Sequence, residues 1–241
     1  MNKLPDVLDE NKMPLHVAFI IDGNGRWAKK RGLSRSMGHK VGFNTLLKMV
    51  QEVRALGIKY MSVYCFSVDN WNRPQAEVDY LMQLFRDILN PRKYKKFKEG
   101  ARINIMGDMS RFPEDIQTNA KKAVLDSQNN TDLVLNLGLN YGGREEIVYA
   151  VNKLIAEGKT HITKEDISNN IYTAGQPDPD FIIRTSGELR LSNWMPWQST
   201  YSEFYFPKIH WPAFNKKHLI TALVEYQSRN RRFGAIKEEN K

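Results

Sequence analysis

From Val17 to Ile21 the chain is apolar without interruption, the pattern of a strand covered on both faces. Polar positions then dominate until Asn44–Leu56, where Leu46, Leu47, Val50, Val53 and Leu56 recur at helical spacing and Gly57 supplies a stop. A second strand follows in Lys59–Ser67, and Pro74 opens a helix at its favoured first-turn position. That helix places Val78, Leu81, Met82, Phe85, Ile88 and Leu89 on one stripe. Arg102–Gly107 reads as a third strand, and Pro113 starts a helix carrying Ile116, Ala120, Ala123 and Val124. The turn NNTD leads into a fourth strand at Leu133–Asn140, followed by a helix from Gly143 to Glu157 and a shorter one capped by TKED. FIIRT (181–185) and SEFYF (202–206) form a fifth and a sixth strand, and Asn215 caps a C-terminal helix. Strands alternating with helices predict an α/β domain whose six-stranded, mainly parallel sheet is flanked by helices.

Length narrows this to one domain. The 241 residues contain no internal repeat and no Pro/Gly/Ser-rich linker, so 1–241 is expected to fold as a unit, with 1–15 a mobile N-terminal segment. A net charge of +9 favours anionic partners: nucleic acid, phospholipid headgroups or small polyphosphates. Cys65 is the single cysteine, which excludes an intramolecular disulfide and a cysteine-based zinc site and suits a reducing cytosol. The N-terminal stretch lacks the apolar core of a signal peptide, and no apolar run approaches the roughly 20 residues of a spanning helix. A cytoplasmic protein with access to a membrane surface is expected.

In parallel α/β folds ligands bind beyond the carboxyl ends of the strands, so those ends carry the chemistry. After the first strand come Asp22, Gly23, Asn24, Gly25 and Arg26. Small residues there let backbone amides approach an anion, and Arg26, Arg35 and His39 add charged donors. The stretch matches neither GxGxxG nor GxxxxGK[ST], which counts against a nucleotide fold, and an ordinary turn capped by Asp22 is the alternative. After the second strand, Ser67, Asp69, Asn70, Trp71 and Arg73 form a dense polar group, alternatively a capped loop in which Asp69 or Asn70 satisfies the helix start. After the fifth, Arg184, Thr185, Ser186, Arg190 and Ser192 suit a diphosphate, unless the arginines merely pair with Glu188. Glu203, an acid inside an aromatic strand, needs a metal or an arginine. Magnesium prefers one or two carboxylates plus phosphate oxygens, so Asp22 could hold a metal bridging to a diphosphate.

The segments HVAFIIDGNGRWAKKRG, FSVDNWNRP, LNYGGREEI and RTSGELRLSNWMPWQSTYSEFYF resemble the signature segments of the cis-prenyltransferases, especially their bacterial, undecaprenyl diphosphate-forming branch. The likeness spans about residues 16 to 234 in order and spacing. It implies Mg2+-dependent elongation of an allylic diphosphate, usually farnesyl diphosphate, by isopentenyl diphosphate, each new double bond being cis. The product would be a long-chain polyprenyl diphosphate such as undecaprenyl diphosphate, precursor of a cell-envelope lipid carrier. By position, Asp22 and Asn70 are the implied catalytic residues, with Asn70 taking part in proton removal. Gly23, Asn24, Gly25, Arg26, Trp27, Arg35, His39, Ser67, Val68, Asp69, Trp71 and Arg73 are implied for the allylic substrate. Arg184, Arg190, Leu191 and Ser192 are implied for isopentenyl diphosphate, and Asp22 with Glu203 for the metal. The resemblance further implies a homodimer of parallel-sheet subunits. Val68 and Asp69 stand where many relatives carry a hydroxyl residue and Glu, and Leu189 where some carry His.

A long prenyl tail requires a dry tunnel, at about 0.8 kcal/mol per buried CH₂. Val78, Leu81, Met82, Phe85, Leu135, Leu137 and Leu139 are its candidate lining, with core packing as the alternative. No two aspartates are adjacent, which excludes the DDxxD motif of the all-helical trans-type synthases. Rival functions are a short- or medium-chain synthase, a noncatalytic accessory subunit and a nucleic-acid-binding module using RKYKKFK (92–98). Retention of Asp22, Asn70, Arg184, Arg190 and Glu203 counts against the accessory subunit. The absence of RNP, KH and zinc-finger patterns counts against nucleic acid. Contact with a membrane for product release is expected in its place.

Overall fold

A computed structural model of the chain describes residues 5–90 and 99–230. Its six strands form one sheet in the order β3-β4-β2-β1-β5-β6, every neighbouring pair parallel. In chain order the elements are β1 (His16–Ile20), α1 (Asn24–Lys29), α2 (Arg35–Ala55), β2 (Tyr60–Ser67), α3 (Gln75–Leu89) and β3 (Ala101–Met106). There follow α4 (Glu114–Ser127), β4 (Leu133–Tyr141), α5 (Gly143–Ala156), α6 (Lys164–Ser168), β5 (Phe181–Arg184), β6 (Glu203–Tyr205) and α7 (Lys216–Ser228). A 3₁₀ turn, Val68–Asn72, joins β2 to α3.

Side-chain alternation along β1 gives the sheet two unlike faces. Val17 and Phe19 join Met61, Val63, Leu135, Leu137, Phe181 and Ile183 in a large apolar core. α2, α3, α4 and α7 cover it with Leu46, Phe85, Ile116 and Leu223 among others. The opposite face has a smaller aromatic core of Ala18, Ile20, Tyr64, Tyr141, Ile182 and Trp194. Beside it lies a buried polar row, in which Ser62 and Asn104 both stand in register with Asn136. The Asn136 amide donates to Ser62 Oγ (3.0 Å) and to Gln176 (2.8 Å), and its oxygen accepts from Asn104 (2.8 Å) and Gln176 (3.1 Å). His16 is fully buried: Nδ1 lies 2.7 Å from the Pro177 carbonyl and so must donate, leaving Nε2 to accept from Ser62 Oγ at 2.7 Å.

Three expectations need correction. α2 begins nine residues before Asn44, at Arg35, where Ser34 caps it by accepting from Met37 N. Gly38 and Gly42 break its apolar pattern because α1 packs against them. A Cβ would lie 2.1 Å from the Asn24 carbonyl at Gly38 and 2.0 Å from Asn24 Oδ1 at Gly42. Val124 sits on the outer face of α4 and is exposed. Residues 5–15 are tied down: Leu8 is buried in the main core, and Asp9 and Gln227 of α7 exchange hydrogen bonds. Among the described residues, no helix is long and apolar enough to cross a membrane. RKYKKFK (92–98) lies outside the described residues.

Candidate active site

Chain connections run to opposite sides of β1, with β2 on one flank and β5 on the other. The crevice outside their carboxyl ends is therefore the place for a ligand. Asp22 leaves β1 at this point. Its carbonyl accepts from Thr185 Oγ1 (2.7 Å), Ser186 Oγ (3.0 Å) and the Trp211 amide (3.0 Å), which fixes the backbone. Gly23 then turns at φ +102°, where any Cβ would lie 2.0 Å from Ser186 Oγ, so only glycine fits. α1 starts at the next residue, and the amides of its first turn have no intrahelical acceptor.

The Asp22 carboxylate faces two arginines, Arg26 at 3.0 Å and Arg184 at 3.0 Å. Burial alone would raise its pKa; the hydrogen bonds and charge of Arg184 and Arg26 outweigh that and hold it below the usual carboxylate range. Arg184 is itself buried at the end of β5 and also donates to Ser192 Oγ (2.8 Å) and the Arg190 carbonyl. Arg190 is exposed and pairs with Glu188, which also binds Arg26. The salt-bridge alternative for this segment thus holds for Arg190, whereas Arg184 points at Asp22.

A second cationic group faces the first. Glu77, in the first turn of α3, binds Arg35 (3.1 Å), His39 (3.1 Å) and Arg73 (3.0 Å). Burial pushes the His39 pKa down, and Glu77 only partly restores it against the neighbouring Arg73 and Arg35. On the intervening turn, Asn70 Oδ1 accepts from the Ser67 amide at 3.2 Å in a capping box. Asn70 thus closes the capping box of the 3₁₀ turn, whose N-cap is Ser67, and forms a wall of the site; α3 itself has Pro74 at its N-cap and no side-chain cap.

These groups line the mouth of one cavity of about 550 Å³. Asp22, Gly23, Asn24, Gly25, Arg26, Arg35, His39, Ser67, Asp69, Asn70, Arg73, Arg184 and Ser192 all reach it. Phe43, Leu46, Cys65, Leu81, Leu84, Phe85 and Ile88 line its apolar part, between the sheet, α2 and α3. A charged mouth and a dry interior suit an amphiphile with an anionic head.

Residues 20–234 match the family model described as "Putative undecaprenyl diphosphate synthase". The isoprenyl transferase of Clostridium perfringens is 49% identical, over 96% of this chain and 94% of that protein. The isoprenyl transferase of Fusobacterium nucleatum is 46% identical, over 95% of this chain and 99% of its own length. The crystal structure of lavandulyl diphosphate synthase from Lavandula x intermedia in complex with dimethylallyl diphosphate superimposes with a TM-score of 0.87 at 35% identity. The overlap covers 93% of this chain and 99% of that one.

The chain belongs to the undecaprenyl diphosphate synthase family. It is a prenyl-transferring enzyme.

Not every residue expected at the prenyltransferase site gathers there. Glu203 stands level with Phe181 and Val17, at the amino end of the sheet, while Asp22 lies beyond its carboxyl end. Its partner is Arg229, at 2.9 Å, so within one chain Asp22 and Glu203 do not share a metal. Among the described residues no group of three or more metal-ligating side chains forms. Trp71 turns away, donating to Asn140 (2.8 Å) and packing on Phe66 and Phe112. Trp27 stacks under Arg31, Val68 faces a separate cavity, and Arg190 and Leu191 lie outside the lining. Of the tunnel candidates only Leu81 and Phe85 line the cavity; Val78, Met82, Leu135, Leu137 and Leu139 are core. Phe43, Leu46, Cys65, Leu84, Ile88 and the Glu77 hub went unread, because apolar lining repeats the core pattern and an acid in a first helical turn is ordinary.

Proposed function

We propose that this cavity elongates an allylic diphosphate, farnesyl diphosphate or a close analogue, by successive cis additions of isopentenyl diphosphate to a long-chain product such as undecaprenyl diphosphate. The observation that carries the assignment is one cavity with a ring of cations at its mouth and only apolar side chains, besides Cys65, at its depth. The allylic diphosphate is held by the first amides of α1 with Arg26, Arg35, His39 and Arg73, and its tail lies against Phe43, Leu84 and Phe85. Isopentenyl diphosphate is held from the opposite side by Arg184, Arg190 and Ser192.

Asp22 fits a magnesium ion: it is a half-buried carboxylate kept ionised by its arginines, and magnesium takes one or two carboxylates together with phosphate oxygens. Held by Asp22, Mg2+ would supply charge neutralisation to a diphosphate leaving group. The chain's own residues do the rest. Arg26, Arg35 and Arg73 stabilise that charge as the allylic C–O bond breaks. Ser67 and Asn70 orient the isopentenyl double bond, whose electrons form the new C–C bond. The amide oxygen of Asn70 already accepts a hydrogen bond and is not basic at neutral pH, so the released proton passes to the departing diphosphate. The apolar depth excludes water that would otherwise trap the cation.

Homodimerisation completes the proposal. It is supported by exposed apolar side chains on α5 (Val148, Tyr149, Ile155) and by Leu189 and Tyr201, and light scattering checks it. Peripheral contact with a bilayer would receive the product. The functional test is incubation with farnesyl diphosphate, labelled isopentenyl diphosphate and Mg2+. Label should appear in organic-extractable chains of discrete length and vanish with EDTA; retention of all label as isopentenyl diphosphate would refute the assignment.

A further inference from the structure

We propose that Asn193 is a positioning residue for the isopentenyl diphosphate side of the site, which it serves by clamping the loop 190–195 onto the start of α5. The inference rests on the proposed function.

α5 begins at Gly143, and its N-cap residue, Gly142, has no side chain to satisfy the exposed amides of the first turn. Asn193 supplies the missing cap from 49 positions away. Its carbonyl accepts from the Gly143 amide at 2.8 Å, its Oδ1 accepts from the Arg144 amide at 2.9 Å, and its Nδ2 donates to Glu145 Oε2 at 2.9 Å. The approach is close enough to require glycine at Gly143, against the rigid Pro196 ring, while a Cβ at Gly142 would displace the Glu145 carboxylate. A Cβ would lie 2.1 Å from Glu145 Oε2 at Gly142 and 2.0 Å from Pro196 Cδ at Gly143.

The clamped loop is otherwise unfavourable. Ser192, Asn193 and Met195 all have left-handed backbones, with φ of +51°, +63° and +48°. Two anchors hold them: the Asn193 cap, and Trp194, fully buried and stacked on Tyr64 at 4.5 Å. Immediately before these anchors stand the loop's two contacts with the site. Ser192 Oγ and the Arg190 carbonyl both accept from Arg184 Nη1, while Arg184 Nη2 pairs with Asp22 at 3.0 Å. The chain of contacts runs from α5 through Asn193 to Ser192 and Arg190, then to Arg184. Asn193 does not line the cavity, so it acts through its neighbours.

The test compares three variants. Asn193→Gly tolerates the left-handed backbone but removes the side-chain cap. Asn193→Asp keeps an acceptor for Arg144 yet sets a carboxylate against Glu145. Asn193→Asp combined with Glu145→Gln restores that pair with donor and acceptor exchanged. KM for isopentenyl diphosphate should rise about 10-fold in Asn193→Gly and further in Asn193→Asp, with kcat within about threefold and the allylic KM within about twofold. The double variant should recover to within about threefold of the starting protein. An equal loss for both substrates, a lowered melting temperature with KM unchanged, or no recovery in the double variant overturns the proposal. A starting protein that incorporates no isopentenyl diphosphate overturns the functional assignment itself, a result visible before any variant is made.

Discussion

On the α2–α3 face of the sheet, charged groups crowd the rim and the interior offers nothing directional: Phe43, Leu46, Leu84 and Ile88 bound the space by contact alone. On the opposite face a polar row lies in the interior, and its members are committed to specific partners, from His16 through Ser62 and Asn136 to Asn104. Apolar walls can yield to a tail of changing length because no hydrogen bond is broken when they move. A buried polar row cannot shift without leaving a donor or acceptor unpaired, at about 1–3 kcal/mol each. One face is thus suited to accept a growing chain, and the other to hold the sheet still while it grows.

Substitutions on the two faces should accordingly part company. Asp22→Asn should carry the largest effect, a fall in kcat/KM of about 10³-fold, while the amide still accepts from Arg184 and the fold survives. Steady-state kinetics and circular dichroism check both halves, and near-normal turnover would remove Asp22 from the chemistry. On the far face the expected loss is of stability. Burial holds the His16 pKa down to about 4 from 6.5, although the Pro177 carbonyl and Asp180 pull it upward. The folded state therefore rejects a proton that the unfolded chain accepts. Stability present above pH 6.5 should fall as the pH drops toward 4, by on the order of 3 kcal/mol. Denaturant melts of the protein and of His16→Gln should differ in slope across that window, with kcat at pH 7.5 little changed.

Glu77→Gln returns to the rim. Loss of the charge that gathers Arg35, His39 and Arg73 should raise the allylic KM about 10-fold. A lower KM would mean that Glu77 competes with the diphosphate. The mildest rate effect belongs to the depth, where Leu84→Trp should leave the first addition within about threefold but shift the products to shorter chains on chromatography. Unchanged product length would show that the tail takes another route.

Much of this contrast was legible in the chain. β1, β2, β4 and β5 announce themselves as largely apolar runs because central parallel strands are covered on both faces. β3, at the sheet edge, shows through Ile103 and Ile105 alternating with polar residues, and β6, three residues long, through its aromatic pair. The ends of β1 and β5 could be read as anion-binding because small residues and exposed amides stand there beside Arg26, Arg35, Arg184 and Arg190, and the end of β2 because its dense polar group is costly without partners. What escaped was whatever depends on pairing at a distance. Glu203 demands a partner in any strand, yet only the fold shows that it is Arg229. Asn193 looks like a turn residue until α5 is seen to lack a cap of its own. The cavity wall was hidden most fully, since Phe43 and Ile88 share their spacing with residues that are simply core.

The central claim is that one cavity binds the diphosphate at the charged rim and the prenyl tail on the apolar face. A crystal structure with an unreactive allylic thiodiphosphate and Mg2+ tests it most directly. The diphosphate should contact the α1 amides, Arg26 and Arg35, with Asp22 at the metal and the tail between Phe43, Leu84 and Phe85. A ligand seated elsewhere, or a tail left in solvent with this cavity empty, would contradict it.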